Sequence, residues 1–229
     1  LRCPRTGALC VSPVAPRQPH TDPTITDDDS RKPACTASRA ATITLTNTDT
    51  HDSTVTEANT RTNTNTDTLD DSGALANDGT LDNDGTFNVD GGLDNAGTLT
   101  NNATFNNNAT GVLGTTGTVD NNATLTNDGH ISIASGGVIN SNDTSTLTNN
   151  DTVLIQSGGT LDIKSGGTLD NEDYIWVGGT LTNQGVINGS GASDIAIDAS
   201  GAWDTHGSVT THGLTNNDGT LTIGAFFDN

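Results

Sequence analysis

The sequence predicts an all-β fold, a parallel β-solenoid, and three observations carry that expectation. A large apolar residue recurs at every sixth position over Leu69, Leu75, Leu81, Phe87, Leu93, Leu99 and Phe105. Eight-residue units such as Ile131–Val138, Val153–Thr160 and Leu161–Thr168 are interspersed among the six-residue ones. The composition is rich in Thr, Asn, Asp and Gly and has no Met, and all the acids except Glu57 and Glu172 are Asp. Asp is a poor helix former and a good turn residue, so the bias argues against helices throughout.

Taken in chain order, residues 1–41 read as a flexible leader. They hold all six prolines and most of the basic residues, with too little apolar area to offset ordering entropy. Cys3, Cys10 and Cys35 fall here, an odd number without metal-type spacing, so one pair can bridge and one thiol remains. No apolar h-region follows the N-terminus, and the chain opens with Leu, so it reads as a processed or incomplete product.

Residues 42–68 carry Thr at 12 of the 14 even positions, with Asp52 and Ala58 the exceptions. A period of two is the strand period, and Thr suits strands through its branched Cβ. The opposite face is largely polar, so the segment reads either as a strand pairing with another element or as a low-complexity spacer.

Residues 69–229 form the solenoid. In the six-residue units the position two after the anchor is usually Asn, as at Asn77, Asn83, Asn95, Asn101, Asn107, Asn121 and Asn127. In most eight-residue units it is aliphatic, as at Leu113, Ile133, Ile155, Ile163 and Ile197. Residues two apart on a strand face the same side, so the long unit sends two apolar groups inward. The short unit sends one, followed by an Asn placed to form amide ladders along the stack, with Gly supplying a positive φ at the corner.

A hairpin meander competes, because Asp84-Gly85 and its equivalents are hairpin-turn dipeptides. Turns six residues apart leave strands too short to stand alone, whereas a parallel stack pairs each with equivalents above and below. Units of six, six and eight give a rung of about twenty residues, so that about eight rungs at ~4.8 Å make a rod of roughly 40 Å. Strict hexads would give a left-handed coil of about eighteen per rung, and the eight-residue units favour the right-handed β-helix.

The runs Gly97-Thr98-Leu99-Thr100-Asn101, Gly158-Gly159-Thr160-Leu161-Asp162 and Gly178-Gly179-Thr180-Leu181-Thr182-Asn183-Gln184-Gly185-Val186-Ile187 resemble the repeats of autotransporter passenger domains and filamentous-haemagglutinin-type adhesins. The similarity spans about Leu69 to Phe227 and is one of repeat style. It implies a right-handed β-helix on a bacterial surface.

Charge narrows the function classes. The chain carries a formal charge of −20, and after Arg61 its one base is Lys164. Such a surface repels phosphate backbones and anionic lipid, which argues against nucleic-acid binding, and no stretch is long and apolar enough for membrane insertion. The acids read as turn residues in preference to a halophile's solvated surface. Diffuse, weak divalent-cation binding is compatible with them, but no Asp-x-Asp-x-Asp-Gly loop or Gly-Gly-x-Gly-x-Asp repeat specifies calcium.

Catalysis finds little support. A lyase needs a base and cations for its uronate, and the rod offers Lys164 with scattered His130, His206 and His212. A hydrolase needs two carboxylates across a sugar site, and here carboxylates are too common to be informative. His206 and His212 lack a third metal ligand at diagnostic spacing. Trp203 occupies an anchor register and reads as core. Tyr174 and Trp176 flank the anchor Ile175, point outward, and are the ligand-contact candidates. The sequons at Asn102, Asn108, Asn122, Asn142, Asn150 and Asn188 are no more than chance supplies in so Asn- and Thr-rich a chain.

The expectation is therefore a non-enzymatic rod, extracellular or on the cell surface, acting as an adhesin, matrix component or filament subunit through self-association or a surface partner, with no catalytic residues and no cofactor or metal. Ice binding is the alternative, since Thr98/Thr100, Thr124/Thr126, Thr146/Thr148, Thr180/Thr182 and Thr220/Thr222 form outward Thr pairs. Their uneven spacing argues against one regular array. A polysaccharide-degrading β-helix is the second alternative.

Overall fold

A computed structural model describes residues 44–45, 49–51, 62–66, 68–212, 214–224 and 227–228. The three cysteines, the leader and Phe226 lie outside the described residues. Short strands, mostly of four residues, follow one another around three faces, and every strand pairing is parallel. Among the described residues there is no helix. The result is a β-solenoid of about 8 turns.

The first face holds ten strands, running from Thr44–Leu45 through Thr62–Asn65, Thr80–Asn83, Thr98–Asn101, Thr118–Asn121, Val138–Ser141, Thr160–Ile163 and Thr180–Asn183 to Ala202–Thr205 and Thr220–Ile223. The second face also holds ten, from Asp49–His51 and Thr68–Asp71 to Ser208–Thr210 and Phe227–Asp228. The third holds eight, from Ala74–Asn77 to Leu214–Asn217. Within the Thr-alternating stretch, Thr44–Leu45 pairs with Thr62–Asn65, which pairs in turn with Thr80–Asn83, so this stretch supplies strands to the same sheets.

Most strands alternate intermediate and buried residues, with the anchor at the second position facing the core. Phe87, Leu99, Phe105, Leu125, Ile131 and Leu161 are wholly buried in a single continuous column, where Phe87 and Phe105 meet edge to face at 5.0 Å between ring centroids. Trp203 is buried among them, as its anchor register predicts.

The fourth position of the strands from Thr62–Asn65 to Ala202–Thr205 also turns inward, and here the expected amide ladders form. Asn65 Nδ2 donates to Asn83 Oδ1 (2.8 Å), Asn83 to Asn101 (2.8 Å) and Asn101 to Asn121 (2.8 Å). A second ladder runs from Asn107 through Asn127 and Asn149 to Asn171. Each Nδ2 also donates to a backbone carbonyl beyond the next corner, for example Asn83 to Thr104 O at 2.8 Å. A buried amide within a ladder thus finds partners at both ends, which removes the penalty an orphaned polar group would pay, and only the leading Oδ1 of Asn107 goes without one in the second ladder.

Ladder partners lie 18 residues apart at Asn65–Asn83, 20 at Asn101–Asn121 and 22 at Asn127–Asn149, so the rung grows by two residues wherever one corner widens. Wide corners close with a hydrogen bond between residues three apart, as in Gly137 N to Ala134 O (2.9 Å), Gly159 N to Gln156 O (2.8 Å) and Gly167 N to Lys164 O (3.0 Å). Their third residues, Gly136, Gly158 and Gly166, have positive φ, the requirement of that turn position.

Two expectations need correction. Leu113 is an anchor, paired with Leu93 and Ile131, and the eight-residue unit before it carries Asn107 inward. The positive φ expected of corner glycines is confined to wide corners. At most narrow corners Gly answers instead to close backbone approach. At the edge between the third and first faces, one glycine per rung (among them Gly97, Gly117, Gly159 and Gly201) stacks on the rung before, and a Cβ on Gly97 would lie 2.0 Å from Gly79 O.

Candidate ligand face

Outward positions repeat as columns along the rod, and the columns differ from face to face. On the second face the first strand position is Thr68, Thr86, Thr104, Thr124, Thr146 and Thr168 in successive register. The first face carries a similar rank through Thr80, Thr98 and Thr118. Thr fits here because its hydroxyl faces water while its branched Cβ packs on the pleat. The five outward Thr pairs are split between these faces, those starting at Thr98, Thr180 and Thr220 on the first and those starting at Thr124 and Thr146 on the second.

The carboxylates are arranged with regard to their neighbours. Asn88, Asn102, Asn108, Asn140, Asn150 and Asn188 each donate Nδ2 to an Asp one rung earlier (Asp70, Asp84, Asp90, Asp120, Asp128 and Asp170), at 2.6 to 2.9 Å. Asp162 receives Thr182 Oγ1 and pairs with Lys164. On the first face the acids Asp82, Asp120, Asp162 and Asp204 alternate with neutral Thr100, Asn140 and Thr182, so like charges are never directly stacked there. Direct stacking at one strand spacing would repel.

The third face breaks this regularity. Its first column reads Ala74, Gly92, Val112, His130, Thr152, Tyr174 and Asp194, and its second reads Ala76, Asp94, Gly114, Ser132, Leu154, Trp176 and Ala196. Tyr174 and Trp176 thus stand side by side on one strand at outward, partly exposed positions, as the alternation around Ile175 predicts. Trp176 lies between Leu154 and Ala196 in register, and its indole folds over the next corner. A Cβ on Gly178 would come within 2.5 Å of that ring, so the glycine makes room for it.

Tyr174 is flanked in register by Thr152 and Asp194. Burial, with the Asp194 charge adding to it, raises the phenol above its ordinary value. Asp194 Oδ1 is itself buried without a hydrogen-bond partner. Glu172 and Asp173, just before the strand, are exposed, and among the described residues no side-chain donor reaches their carboxylates. Asp151, one rung earlier, accepts from Thr152 Oγ1 at 2.9 Å.

The scattered histidines stay apart in role. His206 Nδ1 lies 3.4 Å from Asp204, while His212 Nδ1 meets the Gly189 carbonyl at 3.1 Å. Among the described residues no group of three or more His, Cys, Asp or Glu is placed to hold a metal ion, and no helix is long and apolar enough to cross a membrane. Sequence reasoning found the aromatic pair but missed the asymmetry around it. The signal was present in the consecutive acids Glu172-Asp173 before the chain's one Tyr. The repeats are those of a parallel β-solenoid, but no family model, no curated protein and no solved structure matches the chain.

Proposed function

We propose that the chain is a structural and adhesive rod of the cell surface or extracellular space, working by contact and not by catalysis. The observation that carries this reading is that outward side chains repeat as ranks along two faces instead of converging on one point. Repetition at ~4.8 Å suits many weak contacts with an extended partner. The amide-capped acids support the same reading, because they let an acidic surface stay rigid without like charges in contact.

Protease shaving of intact source cells should remove the rod from the surface, and beads coated with it should adhere to the same cells or their matrix. Full protection from protease, with no adherence, would overturn the proposal. Ice binding remains the second reading, favoured by the unbroken Thr rank from Thr68 to Thr168 on the second face. Thermal hysteresis at micromolar protein separates the two.

A further inference from the structure

Most outward carboxylates of this rod that stack in the Thr- and Asn-rich columns receive a hydrogen bond from the neighbouring rung, and around Tyr174 that arrangement lapses. Asp194 stacks on a phenol, with one carboxylate oxygen buried and unpartnered, and Glu172 and Asp173 have no side-chain donor among the described residues. Uncapped acids also occur singly, at Asp82 between Thr64 and Thr100 with no ring beside it, and at Asp204, whose buried Oδ1 lies 3.4 Å from His206 Nδ1 with no Tyr or Trp among its register neighbours Thr182 and Thr222. The chain's one Tyr and its one outward Trp sit among this group, since the other Trp, Trp203, is buried. Leu154, Trp176 and Ala196 continue it as an apolar strip.

A ligand that completes this surface must bring hydrogen-bond donors, positive charge and a flat face together. The guanidinium group has all three: five donors in a fixed fork, a permanent charge, and a plane that stacks on aromatic rings. Tyr174 and Trp176 are two residues apart on a strand, a separation of roughly 6.5 Å. Alternate side chains of an extended peptide have the same spacing. We infer that the strand Tyr174–Val177, with Glu172, Asp173 and Asp194, docks an extended arginine-bearing segment of a partner protein, with arginines at alternate positions. This names the partner class of the adhesive rod and rests on that reading. An amino-sugar polymer supplies charge but only compact ammonium groups, which suit the rings less well.

The test is titration of the intact chain with an acetylated Gly-Arg-Gly-Arg-Gly amide at 0.15 M NaCl, followed by calorimetry and tryptophan fluorescence. Because Trp203 is buried, a spectral change reports Trp176. Saturable binding is expected, weakened about tenfold by Asp194→Asn and by Tyr174→Ala, the size of one lost charge-assisted hydrogen bond or stacked cation. Asp82→Asn and Asp70→Asn, remote on other faces and several rungs away, should change it by less than about twofold, as expected of screened distant charges. Asp194→Asn is nearly isosteric and should keep the fold, which thermal melts establish.

Absence of binding, equal weakening by Asp82→Asn, or tighter binding of a deacetylated chitin oligomer would each overturn the inference. Peptide binding without adherence to cells or matrix would retire the adhesive reading and leave this site standing. Adherence without peptide binding would retire the site alone.

Discussion

The inward fourth position of the strands is filled in two chemically opposite ways. On the first face it is Asn65, Asn83, Asn101 and Asn121, joined amide to amide. On the later rungs of the third face, beyond Asn77, Asn95 and Thr115, it is Ile133, Ile155, Val177 and Ile197, all buried. The backbone register is the same in both. What the difference teaches is that this position accepts either polarity, with like stacked on like along most of these runs. Thr115 on Ile133 and Ile163 between Ser141 and Asn183 depart from that pattern, and Val89 does so at the greatest cost. It stands between Asp71 and Asn107, and beside it both Asn107 Oδ1 and Asp71 Oδ2 are buried without partners.

The strongest way to break the comparison is an amide placed among aliphatics. Ile155→Asn, between Ile133 and Val177, should cost about 3 to 5 kcal/mol, since it loses apolar burial and gains no amide neighbour. Ile163→Asn should cost about half as much, because Asn183 lies in register one rung on. Urea denaturation of both variants, against an outward control Asp162→Asn, decides it. Equal losses at 155 and 163 would mean that stacking like on like has no energetic content.

A second experiment asks what the two kinds of rung share. The glycine edge runs past both, so Gly97→Ala in a narrow rung and Gly159→Ala in a wide one should each destabilise by about 1 to 3 kcal/mol through overpacking. The added methyl would approach a carbonyl oxygen to 2.0 Å in the first case and 2.3 Å in the second. Unchanged melting temperatures would show that the rungs can separate enough to take a Cβ.

The smallest effect sharpens the comparison at its exception. Asp71 Oδ1 accepts from Gly73 N at 3.1 Å, while Oδ2 takes the place where Asn65 and Asn77 donate to a carbonyl. Burial, and to a lesser degree Asp90, holds the Asp71 pKa above the usual carboxylate range. Its folded value exceeds its unfolded one, so its contribution is fully present below the ordinary carboxylate pKa and is lost as pH rises through the raised value. Asp71→Asn should therefore be more stable than the parent by about 1 kcal/mol at neutral pH, with the difference vanishing in acid. A constant difference between the two melting curves across pH would remove proton binding from the explanation.

Much of this was legible in advance because strand parity is local. The anchors, the amide ladders and the outward Tyr174 and Trp176 all follow from a period of two counted from one residue. The misplacement of Leu113 has a physical cause: Gly111 and Leu113 share the inward parity, and parity alone does not say which of them is the anchor when the width of the preceding corner is unknown. Glycine was misjudged for a different reason, since a sequence shows the turn a residue sits in but not the backbone that will lie against it.

By itself, then, the sequence determined which way each side chain of the solenoid faces, because that depends only on neighbours two residues away. Tertiary structure decided which outward groups become neighbours. Rungs of 18, 20 and 22 residues mean that no fixed spacing in the chain corresponds to one step along the rod. Corner widening therefore set Asn140 on Asp120, divided the Thr pairs between two faces, and left Asp194 stacked on Tyr174 without an amide to cap it.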